Sequence, residues 1–269
     1  MWGVLLSGGG VGPRTALAFL LFHVFLYGGA NAFNTYYDRD TGPIGGLESP
    51  PPVRPALLPW SLAVQVAGLW LASLVNLPFA ALYLVLFLLF TAYSHPAVRI
   101  KRYPWASLLA IALGQGGVAF AAGWVSAGSP PGFGLAGREG AALWGTLSAV
   151  FIVAALYPLS QIYQVAADRA RGEETLAVVL GRHGALGLTM ALLTPGIGFL
   201  ILAGWTRFGV GWTSMLLSYG VFFLVLLLAS RRPLTQGPPA IAYRRVMALN
   251  YLNSTMFLAF IALQLAHQT

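Results

Sequence analysis

The sequence predicts an all-α protein, a polytopic bundle of about eight transmembrane helices, and two observations predict it. Of the 269 residues, 58% are hydrophobic and only 8% are charged. Apolar runs near the ~20 residues that are needed to cross a ~30 Å hydrocarbon core recur along the whole chain. We therefore expect a single transmembrane domain over residues 1–269.

The predicted spans follow one another with mostly short connections. Residues 1–13 are Gly-rich and too short to span a membrane, so they form a lead-in or a truncated helix. The second and third spans are separated only by the turn Asn76-Leu77-Pro78 and form a helical hairpin. The eight predicted spans cover residues 15–36, 57–75, 78–93, 107–125, 141–163, 185–205, 210–229 and 246–266.

The basic residues predict the orientation of these spans. Of the 15 Lys and Arg residues, 12 lie in alternate loops on one side, and basic loops are retained in the cytoplasm. Those 12 are Arg39, Arg54, Arg99, Lys101, Arg102, Arg169, Arg171, Arg182, Arg231, Arg232, Arg244 and Arg245. Both chain ends are then expected outside the cytoplasm. The cytoplasmic loop RRPLTQGPPAIAYRR is expected to meet anionic lipid headgroups.

The same distribution limits the classes of function. The net charge of +8 comes mainly from basic residues in the loops of one side, and the orientation rule explains their placement. We therefore expect a lipid bilayer and no nucleic acid as partner. The absence of Cys excludes disulfides and thiol chemistry. Six of the seven acidic residues also lie on the basic side, which the rule does not require. Their gathering indicates a site at the cytoplasmic membrane face.

Two similar polar triplets end predicted spans at that face. Asn31, Asn34 and Asp38 stand at i, i+3 and i+7, and so do Gln161, Gln164 and Asp168, which predicts one helical face for each triplet. A carboxylate in a spanning segment costs roughly 2.5–3.5 kcal/mol, so it needs a compensating role. The alternative is that the amides only bond neighbouring helices. The repetition favours a site.

Facing amides and carboxylates suggest capture of a polyanion through a metal ion. Mg²⁺ prefers a few carboxylate or amide oxygens together with water and substrate phosphate oxygens. Basic residues of the loop TAYSHPAVRIKRYP, namely Arg99, Lys101 and Arg102, are candidates to bind phosphate oxygens and to stabilise a departing group. The alternative is that these three residues only enforce the orientation.

Three segments resemble the UbiA superfamily of intramembrane prenyltransferases: NTYYDRD, YSHPAVRIK and DRARGEETLAVVLGRHG. Asn34 and Asp38 match the start of the family's NxxxDxxxD pattern, and Asp168 matches the end of its DxxxD pattern. Gly42 and Gln164 stand where the family has two further acids, and Asp40 or Glu48 is the candidate replacement. The positions that follow Asp168 also match, namely Gly172, Thr175, Leu180 and Gly181. The family has nine spans, so the resemblance implies a bundle that lacks most of the first.

The resemblance implies a reaction. A prenyl group passes from a polyprenyl diphosphate to a lipophilic acceptor inside a multi-pass protein of the cell (inner) membrane, and Mg²⁺ assists the loss of pyrophosphate at the cytoplasmic side. Asp38, Asp168 and Lys101 would be catalytic, and the metal ligands would be Asn34, Asp38, Asp40 and Asp168. The substrate-binding candidates are Asn31, Asn34, Tyr93, Arg99, Arg102, Gln161, Gln164 and Arg169.

Two alternatives stay open. Tyr93 would stabilise an allylic cation through its ring face, but Tyr at this depth is also typical of the interfacial aromatic belt. The second alternative concerns the function. Because two family acids are missing, the chain could be a non-catalytic protein that keeps the fold and binds isoprenoid lipids without turnover.

Overall fold

The computed structural model describes residues 1–39, 42–128 and 137–268. Its helices are α1 (Trp2–Leu6), α2 (Pro13–Asp38), α3 (Leu57–Ala72), α4 (Leu77–Ser94), α5 (Pro104–Ser126), α6 (Gly137–Gln161), α7 (Val165–Ala170), α8 (Leu176–Phe208), α9 (Val210–Ala229), α10 (Arg231–Thr235) and α11 (Pro239–Gln268). A 3-10 turn, Ile100–Arg102, precedes α5.

These helices confirm the predicted fold class. Each of the eight predicted spans coincides with a helix, and seven of those helices have at least 18 residues and enough apolar character to cross a membrane. The eighth, α3, has 16 residues and is about 24 Å long. Large apolar side chains cover the outer surfaces, including Trp70 at 72% and Leu77 at 79% exposure. Such surfaces are stable against lipid and unfavourable in water.

Two helices begin earlier than predicted. The sequence places the span starts at residues 185 and 246, whereas α8 begins at Leu176 and α11 begins at Pro239. Charged residues cause both differences, because they lower the local hydropathy without ending the helix. Arg244 and Arg245, for example, are helical and exposed. Long Arg side chains at a span end keep the guanidinium in the polar interface while the backbone stays helical.

Packing divides the chain into two compact units, and the first comprises residues 1–101 and 118–131. Helices α2, α3 and α4 and the end of α5 enclose its core around Leu21, Phe79 and Tyr83. The lead-in forms α1, which packs on α5; a side chain in place of Gly3 would overlap the carbonyl oxygen of Phe120. The single domain over residues 1–269 stays a prediction.

The second unit comprises residues 102–117 and 132–269. Helix α6 packs along α8, and its core includes Leu159, Leu186 and Phe223. The segment LGQGG in α5 allows a close approach to α6, since a Cβ on Gly116 would lie 2.6 Å from the Cα of Val150. Small residues at such crossings let the backbones of membrane helices approach each other.

Candidate active site

A first polar cluster lies at the C-terminal end of α2. The carboxylate of Asp38 is ion-paired with the ammonium group of Lys101. The side-chain oxygen of Asn34, one turn earlier, accepts a hydrogen bond from the same ammonium at 3.0 Å and another from the hydroxyl of Ser94 at 2.7 Å. Helix α2 ends directly after Asp38, where Arg39 adopts a left-handed conformation (φ 51°) and its N–H donates to the carbonyl of Thr35.

The loop after α4 places Lys101 in this cluster. Helix α4 ends at Ser94, and the N–H of Arg99 donates to the carbonyl of His95 at 2.8 Å. Arg99 has a φ of 47°, a left-handed backbone that non-glycine residues adopt infrequently. This reversal, followed by the 3-10 turn, returns the chain toward α2. The loop therefore contacts Asn34 and Asp38 through the side chain of Lys101.

The first cluster is largely withdrawn from solvent. The side chains of Lys101 and Asp38 are only 13% and 17% exposed. An ion pair that is this poorly solvated is costly to break, because removal of either partner leaves the other charge uncompensated. The ammonium sits against one amide oxygen and one carboxylate oxygen, which is a position that suits a small cation.

A second polar cluster is built around Asp168 in α7. This carboxylate is buried, with a side chain that is 3% exposed. It accepts from a guanidinium nitrogen of Arg171 at 2.6 Å and from the hydroxyl of Thr175 at 3.1 Å. The Thr175 hydroxyl also accepts from the N–H of Val178 and so caps α8. Gly172, with a φ of 71°, forms the turn between these helices.

The single helical face predicted for the second triplet is wrong. Helix α6 ends at Gln161, a turn follows, and α7 starts at Val165, so Gln161 and Asp168 belong to different helices. The side-chain oxygen of Gln161 accepts from the N–H of Ala177 at 3.4 Å and ties α6 to α8. Helical periodicity cannot reveal such a break, because no Pro or Gly stands between Gln161 and Asp168.

The remaining predicted residues occupy varied surroundings. Asn31 on α2 and Arg169 on α7 are exposed. The guanidinium of Arg102 lies 4.6 Å from the centre of the Tyr103 ring, and Tyr93, Arg99 and Gln164 are partly buried. Asp40 lies outside the described residues. The substrate and metal roles of all these residues stay predictions, and so does the meeting of the two clusters around one diphosphate.

Sequence reasoning missed several partners of the predicted residues. The sequence does not predict that Ser94 contacts Asn34 or that Arg171 contacts Asp168. It identifies Thr175 as a match to the family pattern but not as a partner of Asp168. One signal for Thr175 is local: a Thr directly before the apolar run LAVVL is typical of a helix N-cap. Ser94 contacts Asn34 across 60 residues of sequence, and that separation carries no local signal.

The donor atoms of each cluster, taken by itself, suit a magnesium ion that also binds a phosphorylated substrate. Mg²⁺ accepts one or two carboxylates and completes its shell with water and phosphate oxygens. The first cluster offers the oxygens of Asn34 and Asp38, and the second offers the carboxylate of Asp168. Among the described residues, no three Asp, Glu or His side chains come together, so substrate and water would supply most of the ligands.

The fold and its exposed apolar helices define an integral, multi-pass membrane protein. Residues 1–261 match the family model described as the UbiA prenyltransferase family. The chain is 30% identical over 223 residues to digeranylgeranylglyceryl phosphate synthase of Thermococcus kodakarensis, which covers 80% of this chain and 74% of that protein. The chain therefore belongs to the UbiA prenyltransferase family.

Solved structures share the fold at lower identity. A UbiA homologue from Archaeoglobus fulgidus, bound to DMAPP and Mg²⁺, superposes with a TM-score of 0.69 at 18% identity, over 97% of this chain and 93% of that one. The apo structure of a UbiA homologue from Aeropyrum pernix K1 gives a TM-score of 0.64 at 19% identity, over 96% and 93%. The predicted family and fold class are thus confirmed.

Proposed function

We propose that this protein transfers a prenyl group from a prenyl diphosphate to a lipophilic acceptor in the membrane. The observation that supports it most is the first cluster, in which a carboxylate, an amide and an ammonium group converge at the end of a transmembrane helix. Asn34, Asp38 and Asp168 would hold Mg²⁺, which when bound neutralises charge on the diphosphate. The 30% identity to a synthase of the same family supports the same chemistry.

The chain's own residues serve the departure of pyrophosphate. The bond between the allylic carbon and the ester oxygen of the α-phosphate breaks, and the electron pair leaves with pyrophosphate. Lys101 donates to a diphosphate oxygen and stabilises the charge that develops there, and Arg99 is placed in the same loop. An acceptor atom then bonds to the allylic carbon and loses its proton. Apolar spans keep bulk water from the cation, which water would otherwise capture.

The acceptor class is proposed from the curated relative. Its name describes the synthesis of a glyceryl phosphate that carries two geranylgeranyl groups. We infer that the hydroxyl of a prenylated glycerol lipid is the first acceptor to test for this chain, with a geranylgeranyl diphosphate donor.

A second candidate function follows from the missing acids. Gly42 and Gln164 stand where the family pattern has carboxylates, and both remaining acids, Asp38 and Asp168, carry basic partners. A protein with these features would bind prenyl lipids through the same fold without turning them over.

Pyrophosphate release tests the proposal. Purified protein in lipid vesicles is incubated with Mg²⁺, labelled prenyl diphosphates of several lengths and a membrane lipid extract. We expect release that stops on chelation of the metal and that falls by about 100-fold or more in Asp38→Asn and in Asp168→Asn. Glu139→Gln, the same change at an exposed acid in the first turn of α6, should retain the wild-type rate.

Three outcomes would contradict the proposal in different ways. Full release from both Asp variants would place the site elsewhere in the chain. Donor binding without release from any donor would support the non-catalytic candidate. Release that continues after chelation would exclude the metal role of these residues.

A further inference from the structure

Arg182 has a buried, unused hydrogen-bonding edge. One terminal nitrogen, Nη1, donates to the carbonyl oxygen of Gly237 at 2.6 Å. The other two guanidinium nitrogens, Nε and Nη2, are buried, and no atom of the described residues accepts a hydrogen bond from either. A buried N–H without an acceptor is unfavourable, and more so on a charged group.

The geometry of the free edge limits what can fill it. Nε–H and Nη2–H point the same way along one side of the planar guanidinium group. Two parallel donors of this kind match two oxygens of one carboxylate or phosphate group. Water satisfies such an edge less well than an oxyanion does, because only the oxyanion also compensates the charge.

The protein has few carboxylates to offer. From Thr175 to the end of the chain the sequence contains six arginines and neither Asp nor Glu. The nearest acids along the chain are Glu173 and Glu174, and Glu173 already lies 3.7 Å from Arg171. The free edge of Arg182 therefore lies in a basic part of the chain, on helices that carry no acid of their own.

The position of Arg182 along α8 points to the lipid headgroups. Gly181 has φ 68° and ψ 166°, which divides α8 into a short first turn and a long helix over residues 182–208. That helix is about 40 Å long and exceeds the ~30 Å hydrocarbon core, so its ends reach the headgroup layer. The positive N-terminal end of a helix adds to the attraction for an anion. Phosphate is the anion that this layer supplies.

Four further arginines lie in the segments that flank Gly237 in the chain. Arg231, Arg232, Arg244 and Arg245 are exposed on α10 and the start of α11, on either side of Gly237. Exposed arginines attract anionic headgroups without specific geometry. Arg182 differs from them because its free edge is buried and oriented.

We propose that the Nε/Nη2 edge of Arg182 is a specific binding site for a phosphate group, taken either from an anionic lipid headgroup or from free phosphate. The exposed arginines concentrate the anion, and the buried fork binds two of its oxygens. Occupation of the site fastens the start of the long helix of α8 to the turn at Gly237. The site is separate from the residues to which the prenyl transfer is assigned.

Thermal unfolding of the purified protein in neutral detergent tests the proposal with matched ligands. The probes are dioleoyl phosphatidic acid, dioleoylglycerol, which lacks only the phosphate, and inorganic phosphate. We expect phosphatidic acid to raise the unfolding temperature saturably and dioleoylglycerol to leave it unchanged. Stabilisation by inorganic phosphate at the same site would identify free phosphate as a source, and its absence would identify the headgroup.

Variants of Arg182 distinguish the effect of its two parallel N–H donors from the effect of its positive charge. Arg182→Lys keeps the positive charge but loses the two parallel donors, so its apparent affinity for phosphatidic acid should fall about tenfold or more. The apparent affinity of Arg182→Gln for phosphatidic acid should fall at least as far. If the Gln variant does not fold, the Lys variant alone tests the proposal. Arg245→Lys, the same change at an exposed arginine, should stay within about twofold. Equal affinity in Arg182→Lys and wild type, or equal losses in Arg182→Lys and Arg245→Lys, would overturn the proposal.

Discussion

At the scale of single residues, Lys101 is the side chain on which the candidate site depends most. It is the only Lys in the chain, in which the other basic residues are Arg. An ammonium is a compact point charge on a flexible stem, whereas a guanidinium is a broad planar fork. The ammonium of Lys101 contacts both the amide oxygen of Asn34 and the carboxylate of Asp38, the two oxygens that are proposed to hold the metal ion.

Lys101→Met should therefore change metal affinity and rate in opposite directions. Loss of the ammonium removes a competitor for the oxygens of Asn34 and Asp38, so Mg²⁺ should reach half-saturation at a lower concentration. Loss of the donor to the departing pyrophosphate should lower the maximal rate by about 100-fold. Pyrophosphate release measured across a Mg²⁺ titration gives both quantities.

Arg14→Met is the matched control, because Arg14 is an exposed basic residue at the other end of α2. It should leave the Mg²⁺ dependence and the maximal rate unchanged. A Lys101→Met variant that needs more Mg²⁺ than wild type would show that the ammonium supports metal binding and does not compete with it.

At the scale of elements, departures from regular helix set the positions of the polar residues. Helix α2 contains a π-helical segment at Leu21–Leu26, and α5 contains another at Ala112–Val118. Helix α8 is broken at Gly181, between the cap at Thr175 and the free edge of Arg182. Each irregularity changes the direction in which the side chains after it point, relative to those before it. Polar residues at the end of such a helix therefore need not follow the 3.6-residue periodicity of its apolar face.

Gly181→Ala should destabilise the protein by about 1–3 kcal/mol, because a φ of 68° with a ψ of 166° is a backbone conformation that only glycine adopts without strain. The measurement is the midpoint of thermal unfolding in detergent. Gly187→Ala is the control in the same helix, since an added Cβ would meet no described atom within 4 Å other than those of its chain neighbours and its own helix backbone, and its φ is not positive. The control should be neutral or slightly stabilising. Equal midpoints for the two variants would show that α8 is not kinked at Gly181.

At the scale of the whole molecule, the distribution of basic residues predicts one orientation. The 12 basic residues on one side include Lys101 and the arginines of the loop after α4. The positive-inside rule then places both polar clusters on the cytoplasmic side. That side stays a prediction. The chain contains no Cys, so a single introduced Cys reports one position without interference.

Two Cys variants at opposite ends of α4 test the orientation. Ser73→Cys lies before α4 and Ala97→Cys lies after it, and both native residues are exposed. A membrane-impermeant maleimide added to intact cells should label the variant at residue 73 only. Added to inverted vesicles, it should label the variant at residue 97 only. The reverse pattern would place the candidate site outside the cytoplasm, and labelling of both from one side would show that α4 does not cross the membrane.

The sequence by itself determined the membrane class, the eight apolar spans and the acid at the end of α2. Hydropathy and charge act locally, so apolar runs predict spans such as α9, and Asp38 and Asp168 are conspicuous because carboxylates are costly in a bilayer. Only the tertiary structure decided which groups meet: Lys101 with Asn34 and Asp38, Thr175 and Arg171 with Asp168, and Gly237 with one edge of Arg182. These contacts depend on helix breaks and left-handed turns, as at residues 162–164 and Arg99, and they join side chains up to 67 residues apart, a separation that carries no local signal.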